Sequence, residues 1–471
     1  MKYALFAAVC ALGVPLVAWA AWASAKWRGH LVSALLVSAA LGDLASINFL
    51  SMETYRGPDR GFEVTLTDLL ALGLAVALAA RFPTRLRWWP TGSTLLWLLF
   101  AVAAASVAWA PVPMYGGFAL FKLARAYVVF WVVANAVHTG TPTLAAWRGL
   151  ALMAGLVAVV AMKQKYLDGI YRVPGPFDHS NTIPLYANLV MPVLFVWSVA
   201  DRGLSRAEAA LGTLAALGLM AAVIATFSRA GTALAALGLL AALVLVNRGR
   251  PTLRVRAVSA LVVIGALAGG VMAADSLLAR ARSAPESSEE ARHEFNEAAD
   301  LMLRDHPLGI GLNNFSHVLT VEDRYRDHIT VMANEEQAGV AHHIYRLTAA
   351  ELGYPGLLLF VAMLAQFAWV ALSAGWRRRR TPDGRALLAL GIGMLTLHAA
   401  GLLEWGFRIT PVTYQFAIVA GLAAGLAGRL RPTSNGAIRP VAGRMATAQP
   451  IHRQAEINVS QIRTDSYRNR P

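Results

Sequence analysis

Long uncharged runs alternate with short polar stretches along nearly the whole chain. Apolar segments fall at 3–24, 31–51, 66–82, 93–110, 115–137, 144–162, 183–200, 208–227, 230–247, 256–274, 344–373, 386–404 and 411–428. Most approach the roughly 20 residues that a helix needs to cross a bilayer. The pattern predicts an all-α polytopic membrane protein with about twelve or thirteen transmembrane helices. The segments at 208–227 and 230–247 are parted only by a short Phe-Ser-Arg stretch, so they read as a tight hairpin or as one broken helix. The first segment ends in Ala23-Ser24-Ala25, faintly like a signal cleavage site. It is longer than the usual 7–15-residue apolar core of a signal peptide and reads as a retained membrane helix.

The polar stretches divide into two kinds. Arginines crowd the stretches after the third, seventh, ninth and eleventh segments: Arg81, Arg85 and Arg87; Arg202 and Arg206; Arg248, Arg250, Arg254 and Arg256; and Arg377 to Arg380. The positive-inside rule places these loops in the cytoplasm. The opposite face then carries residues 52–65, 111–114, 163–182, the Ser228-Arg229 turn, 275–343 and 405–410. Four parts follow: helices within 1–274, a large outer loop at 275–343, C-terminal helices within 344–428, and a cytoplasmic tail at 429–471. The tail is basic, lacks apolar periodicity and reads as disordered. Within the large loop, Ser288 to Arg304 reads as a helix. Phe295, Ala298, Ala299, Met302 and Leu303 recur at steps of three and four, and that stripe is expected to lie against the membrane domain.

Composition sharpens this picture. Of 471 residues, 57% are hydrophobic and only 15% charged, against about 25% charged in soluble domains. The net charge of +15 sits mostly in the basic loops and the tail, so it reflects insertion, and no nucleic-acid motif accompanies it. The single cysteine, Cys10, excludes an intrachain disulfide and a thiolate metal cluster.

Cations on the outer face are the informative exception, because the positive-inside rule predicts few there. Arg172, Arg229, Arg292 and His342 all map to it. Snorkelling at the interface accounts for any one of them; together they suggest an anion site. The stretch from Tyr171 to Asn181 holds Pro174, Gly175 and Pro176, which forbid helix. Irregular backbone at this depth must be buried in protein or line a wet cavity. Ser228-Arg229-Ala230-Gly231 opens a helix whose first turn has free N–H groups, and with Arg229 it makes a candidate phosphate cradle. His342 and His343 open the segment at 344–373, where a neutral imidazole can take a proton from a hydroxyl. Neither their spacing nor nearby carboxylates make a metal site, and HExxH, Walker and GxGxxG motifs are absent. No cofactor is implied.

Three blocks together resemble the O-antigen ligase-like family, which includes lipopolysaccharide O-antigen ligases, O-antigen polymerases and bacterial protein O-oligosaccharyltransferases. They are Gly175-Pro176-Phe177 with Asn181; Ser228-Arg229-Ala230-Gly231; and Arg292 through Asp305-His306-Pro307-Leu308-Gly309-Ile310-Gly311 to Asn314-Phe315, followed by His342, Gly353 and Gly356. The likeness spans about 165–360. The chain departs from the family in having His343 where Asn usually follows the key histidine, so His343 could share or replace the role of His342. The resemblance implies a GT-C-like, metal-independent glycosyltransferase in the bacterial inner membrane, working on the periplasmic face. Its donor would be a glycan on undecaprenyl pyrophosphate and its acceptor, in the ligase branch, a sugar hydroxyl of lipid A–core. It also implies His342 as general base, with Arg172, Arg229, Arg292, Asn181 and Ser228 on the donor pyrophosphate. Lys163, Lys165, Arg280, Glu404 and Arg408 are further candidates at the same face. A polymerase or protein glycosyltransferase of the same family is the nearest rival. A transporter for an anionic lipid or solute is the rival of a different class, although no internal repeat of the kind common in transporters is visible.

Overall fold

The computed structural model describes residues 2–41, 46–200, 204–248, 251–253, 255–264, 286–330 and 339–429. The tail beyond Arg429 lies outside these residues, as do Arg202, Arg250, Arg254, Arg280 and parts of the 275–343 loop. The helices are α1 Lys2–Ala23, α2 Ala25–Ser38, α3 Leu66–Arg81, α4 Ser93–Ser106, α5 Pro113–His138, α6 Thr143–Tyr166, α7 Thr182–Ala200, α8 Arg206–Ala225 and α9 Arg229–Asn247. They continue with α10 Val255–Ile264, α11 Glu286–Asp305, α12 Phe315–Val321, α13 Asp323–Arg326, α14 Ile344–Arg377, α15 Pro382–Ala400 and α16 Thr410–Arg429. Among the described residues, eight helices are long and apolar enough to cross a membrane, and α4 and α10 are shorter apolar helices. The chain is an all-α polytopic membrane protein.

One expected crossing is different. The segment at 31–51 does not form a single helix: α2 ends at Ser38, and Ser46–Ser51 is strand β1, antiparallel to β2 (Gly61–Thr65). Polar Ser46 and Asn48 alternate with Ile47 and Phe49, a period of two that suits a strand. Ser46 pairs with Thr65, Ile47 with Val64 and Asn48 with Glu63. The segments at 208–227 and 230–247 are two separate helices. Phe227 takes a left-handed backbone (φ 53°) between them, and Ser228 caps α9 by accepting a hydrogen bond from Gly231 N–H (3.3 Å).

Helix α7 is the centre of the bundle. Its Thr182–Val199 span is wholly buried, whereas only 6% of Phe6–Ala23 in α1 is. It packs on α8, α9 and α15, while α16 packs on α5. Helix α11 forms as its stripe predicts: Phe295, Ala298, Ala299 and Met302 are buried, and the helix packs on α14. Burying a Phe or Met side chain contributes about 1.5–3 kcal/mol.

Irregular backbone between helices is satisfied by carboxamide side chains that pair with both groups of one residue. Asn135 does so at Arg87 (2.8 and 3.1 Å), Gln164 at Gly175 (2.7 and 2.8 Å) and Asn314 at Val112 (3.0 and 3.3 Å). Such pairing removes the cost of an unbonded peptide away from water.

The loops gather at two ends of the bundle. At one end, Trp109 Nε1 donates to Gly309 O (2.9 Å), and residues of the 52–65, 163–182, 275–343 and 405–410 loops line a common cavity. At the other end, Arg87 donates to Gly428 O (3.2 Å), Arg429 to Thr141 O (2.7 Å) and Arg148 pairs with Glu208 (2.6 Å).

Candidate functional site

The shared cavity has a volume of ≈ 920 Å³ and is lined by Arg172, Asn181, Arg292, His342, Glu404 and Arg408, among others. Among the described residues, seven Lys or Arg side chains line it against four Asp or Glu, a net of +3 that raises the local concentration of anions.

Glu404, in the turn after α15, is the hub. Its Oε1 accepts from Asn181 Nδ2 (2.7 Å) and pairs with Arg292 Nη2 (3.2 Å). Its Oε2 lies 3.5 Å from His342 Nδ1. That last approach is too long for a hydrogen bond, and Nδ1 is buried without a partner among the described residues. A small inward movement or a proton on the ring would close it. Asn181 in turn accepts from Arg172 Nη2 (3.0 Å), whose Nε donates to Thr226 O (3.2 Å). One carboxylate therefore gathers residues from three other parts of the chain.

The start of α14 is pinned beside this hub. Ile344 N–H donates to Gly401 O (2.9 Å) and the Tyr345 hydroxyl to His398 O (2.8 Å), which brings His342 to the end of α15. Helix α14 breaks at Gly353, at φ 65° and ψ −169°. The 305–314 loop docks into the break: Tyr354 N–H donates to Pro307 O, Ile310 N–H to Ala350 O and Gly311 N–H to Glu351 O, each at 3.0 Å. Gly309 is needed there, because a Cβ on it would lie 2.3 Å from Glu351 O.

His343 does different work. Its Nδ1 accepts from Arg346 N–H (3.3 Å) and caps α14. Burial, with the Arg346 guanidinium beside it, pushes the imidazole below the usual histidine value. Ser228 and Arg229 stand at the start of α9, outside the cavity wall, and Arg229 is exposed. They are linked to it through Arg172 on Thr226 O and through Tyr171, stacked on Phe227 (4.9 Å). Lys163 pairs with Asp168 (2.8 Å), and Lys165 donates to Tyr171 O (2.9 Å). Both serve the 163–182 loop and do not line the cavity.

A buried ionic cluster forms the cavity floor, and the sequence reading passed over most of it. Lys122 pairs with Asp59; Arg408 with Glu351 (2.5 Å) and Asp59 (3.5 Å); Arg125 with Asp68 (2.7 Å). Arg408 also donates to Asn313 Oδ1 (3.2 Å). Glu351 and Asp59 hold the Arg408 guanidinium above its ordinary pKa although burial pushes it down. The missed signal was Lys122 and Arg125 inside the apolar run 115–137, where a charge needs a partner.

A membrane-embedded helical bundle with a cation-rich cavity at one end defines a class of protein suited to an anionic amphiphile. Residues 214–361 match the family model described as O-antigen ligase. Over that stretch the chain is similar to the O-antigen ligase-like family, which takes in ligases, polymerases and protein oligosaccharyltransferases. The match runs from α8 to the first part of α14 and contains Ser228, Arg229, Arg292 and His342. No curated protein matches the chain.

Proposed function

We propose that this protein is an O-antigen ligase of the bacterial inner membrane, moving a glycan from undecaprenyl pyrophosphate to a lipid A–core hydroxyl at the periplasmic face. The observation that carries the reading is the convergence of His342, Arg292 and the Arg172–Asn181 pair on Glu404 inside a cation-rich cavity. The acceptor oxygen attacks the anomeric carbon of the donor sugar as the bond to pyrophosphate breaks. The bonding pair leaves with the pyrophosphate oxygen, and Arg172 and Arg292 stabilise that charge. His342 takes the acceptor proton on Nε2, since Nδ1 faces the Glu404 carboxylate at 3.5 Å. Arg229, at the N-terminal end of α9, offers a second phosphate contact at the cavity approach.

The test is reconstitution with lipid-linked donor and separate acceptors. Glycan on lipid A–core supports the reading. Extension of the donor itself makes the protein a polymerase, and glycan on a polypeptide makes it a protein oligosaccharyltransferase. Movement of lipid across the bilayer with no transfer to any acceptor overturns the enzymatic reading.

A further inference from the structure

A second feature lies at the other end of the bundle. Helix α9 has 19 residues and so runs roughly 28 Å from Arg229. Beyond its last turns, α9, α14 and α15 enclose a groove of ≈ 580 Å³ whose walls include Val244, Trp369, Trp376 and Leu388. Its mouth carries Arg248 and Arg377, and among the described residues no acidic residue lines it. Both arginines are exposed, and among the described residues neither is in an ion pair. The Trp376 ring stands between guanidiniums, 5.9 Å from that of Arg248 and 4.8 Å from that of Arg379. The segment 378–385 adds four more arginines and one aspartate.

We infer that this groove binds an anionic phospholipid, its phosphate between Arg248 and Arg377 and an acyl chain along the apolar wall. Two observations favour that occupant. Trp369 and Trp376 are exposed by 71% and 52%, as suits indoles at the level of lipid headgroups. The apolar wall meets two unneutralised guanidiniums at its rim, the arrangement that selects anionic over zwitterionic headgroups. Solvated surface arginines alone would not need the groove, and an annular lipid alone would not need the charges. The site is remote from Glu404 and has no part in the chemistry proposed there.

The test is native mass spectrometry of the full chain purified in mild detergent, with phosphatidylglycerol and phosphatidylcholine added separately. Phosphatidylglycerol should bind at least tenfold more tightly. Arg248→Gln with Arg377→Gln should weaken it by about tenfold or more, since each cation near an anionic surface contributes. Val244→Trp, at an exposed wall position, should block binding with both cations kept. Arg81→Gln, at another basic loop, should leave it unchanged. Equal binding of the two lipids, or indifference to the groove variants, would overturn the inference.

Discussion

Replacing Gly353 by alanine would put a methyl group where the fold has no space. At φ 65° and ψ −169° the residue occupies a region that is essentially glycine-only, and strain of this kind costs about 1–3 kcal/mol. A Cβ there would lie 2.3 Å from Pro307 O and 2.5 Å from Leu308 C. Both are backbone atoms, so relief requires the 305–314 loop to move. That movement breaks the bonds from Tyr354 N–H to Pro307 O and from Ile310 N–H to Ala350 O, each worth about 1 kcal/mol. The total is roughly 3–5 kcal/mol, among the largest single-residue effects. The assay is thermal unfolding in detergent, with Gly155→Ala as control. Gly155 is inside α6 and has nothing within 4 Å of a built Cβ, so its alanine should be neutral or slightly stabilising. Gly353→Ala should melt several degrees lower and lose transfer, because His342 and Arg292 sit on the elements that the break holds together. An unchanged melting temperature in Gly353→Ala would refute this reasoning.

Further outcomes follow from the same geometry. Glu404→Ala should reduce transfer about a hundredfold through misplaced His342 and Arg292, with little change in melting temperature; near-normal transfer would remove Glu404 from its positioning role. Glu351→Ala should cost about 3–5 kcal/mol by leaving the buried Arg408 and Lys122 to share the single Asp59 carboxylate, one positive charge in excess, read as poor folding or early unfolding. His343→Ala should cost about 1 kcal/mol of helix capping, whereas His343→Asn, a better cap, should not. The folded-state pKa of His343 is lowered, so its contribution is complete above the free value of about 6.5 and is lost as pH falls through that value towards the folded one. Wild type should therefore lose more stability than His343→Asn between pH 7 and pH 5.

The sequence pattern made the membrane class, the basic loops and the amphipathic α11 legible because each rests on local periodicity or charge. It failed at 31–51, where hydrophobicity summed over a window hid the two-residue alternation of β1. Arg172, Asn181, Arg292 and His342 were identifiable one by one, as polar residues on a face that should lack them. Glu404 was a further candidate at the same face, but its place as their common partner was not legible until α15 and α14 are joined through Ile344 and Tyr345. The same holds for Asp59 and Glu351, whose partners are 63 and 57 positions away in the chain (Lys122 and Arg408). The histidine at 343 stood out as a departure from the family and as a possible catalyst; the fold uses it as an acceptor for Arg346 N–H, the task an asparagine performs well at a helix start.

The role of His342 is tested most directly in a purified transfer reaction. Wild type and His342→Ala are compared with lipid-linked donor and lipid A–core in the presence of EDTA, alongside a measure of donor binding. The account predicts transfer by wild type despite the chelator, and donor bound but no transfer by the variant. Transfer by His342→Ala at the wild-type rate, or its loss from wild type on chelation, would contradict it.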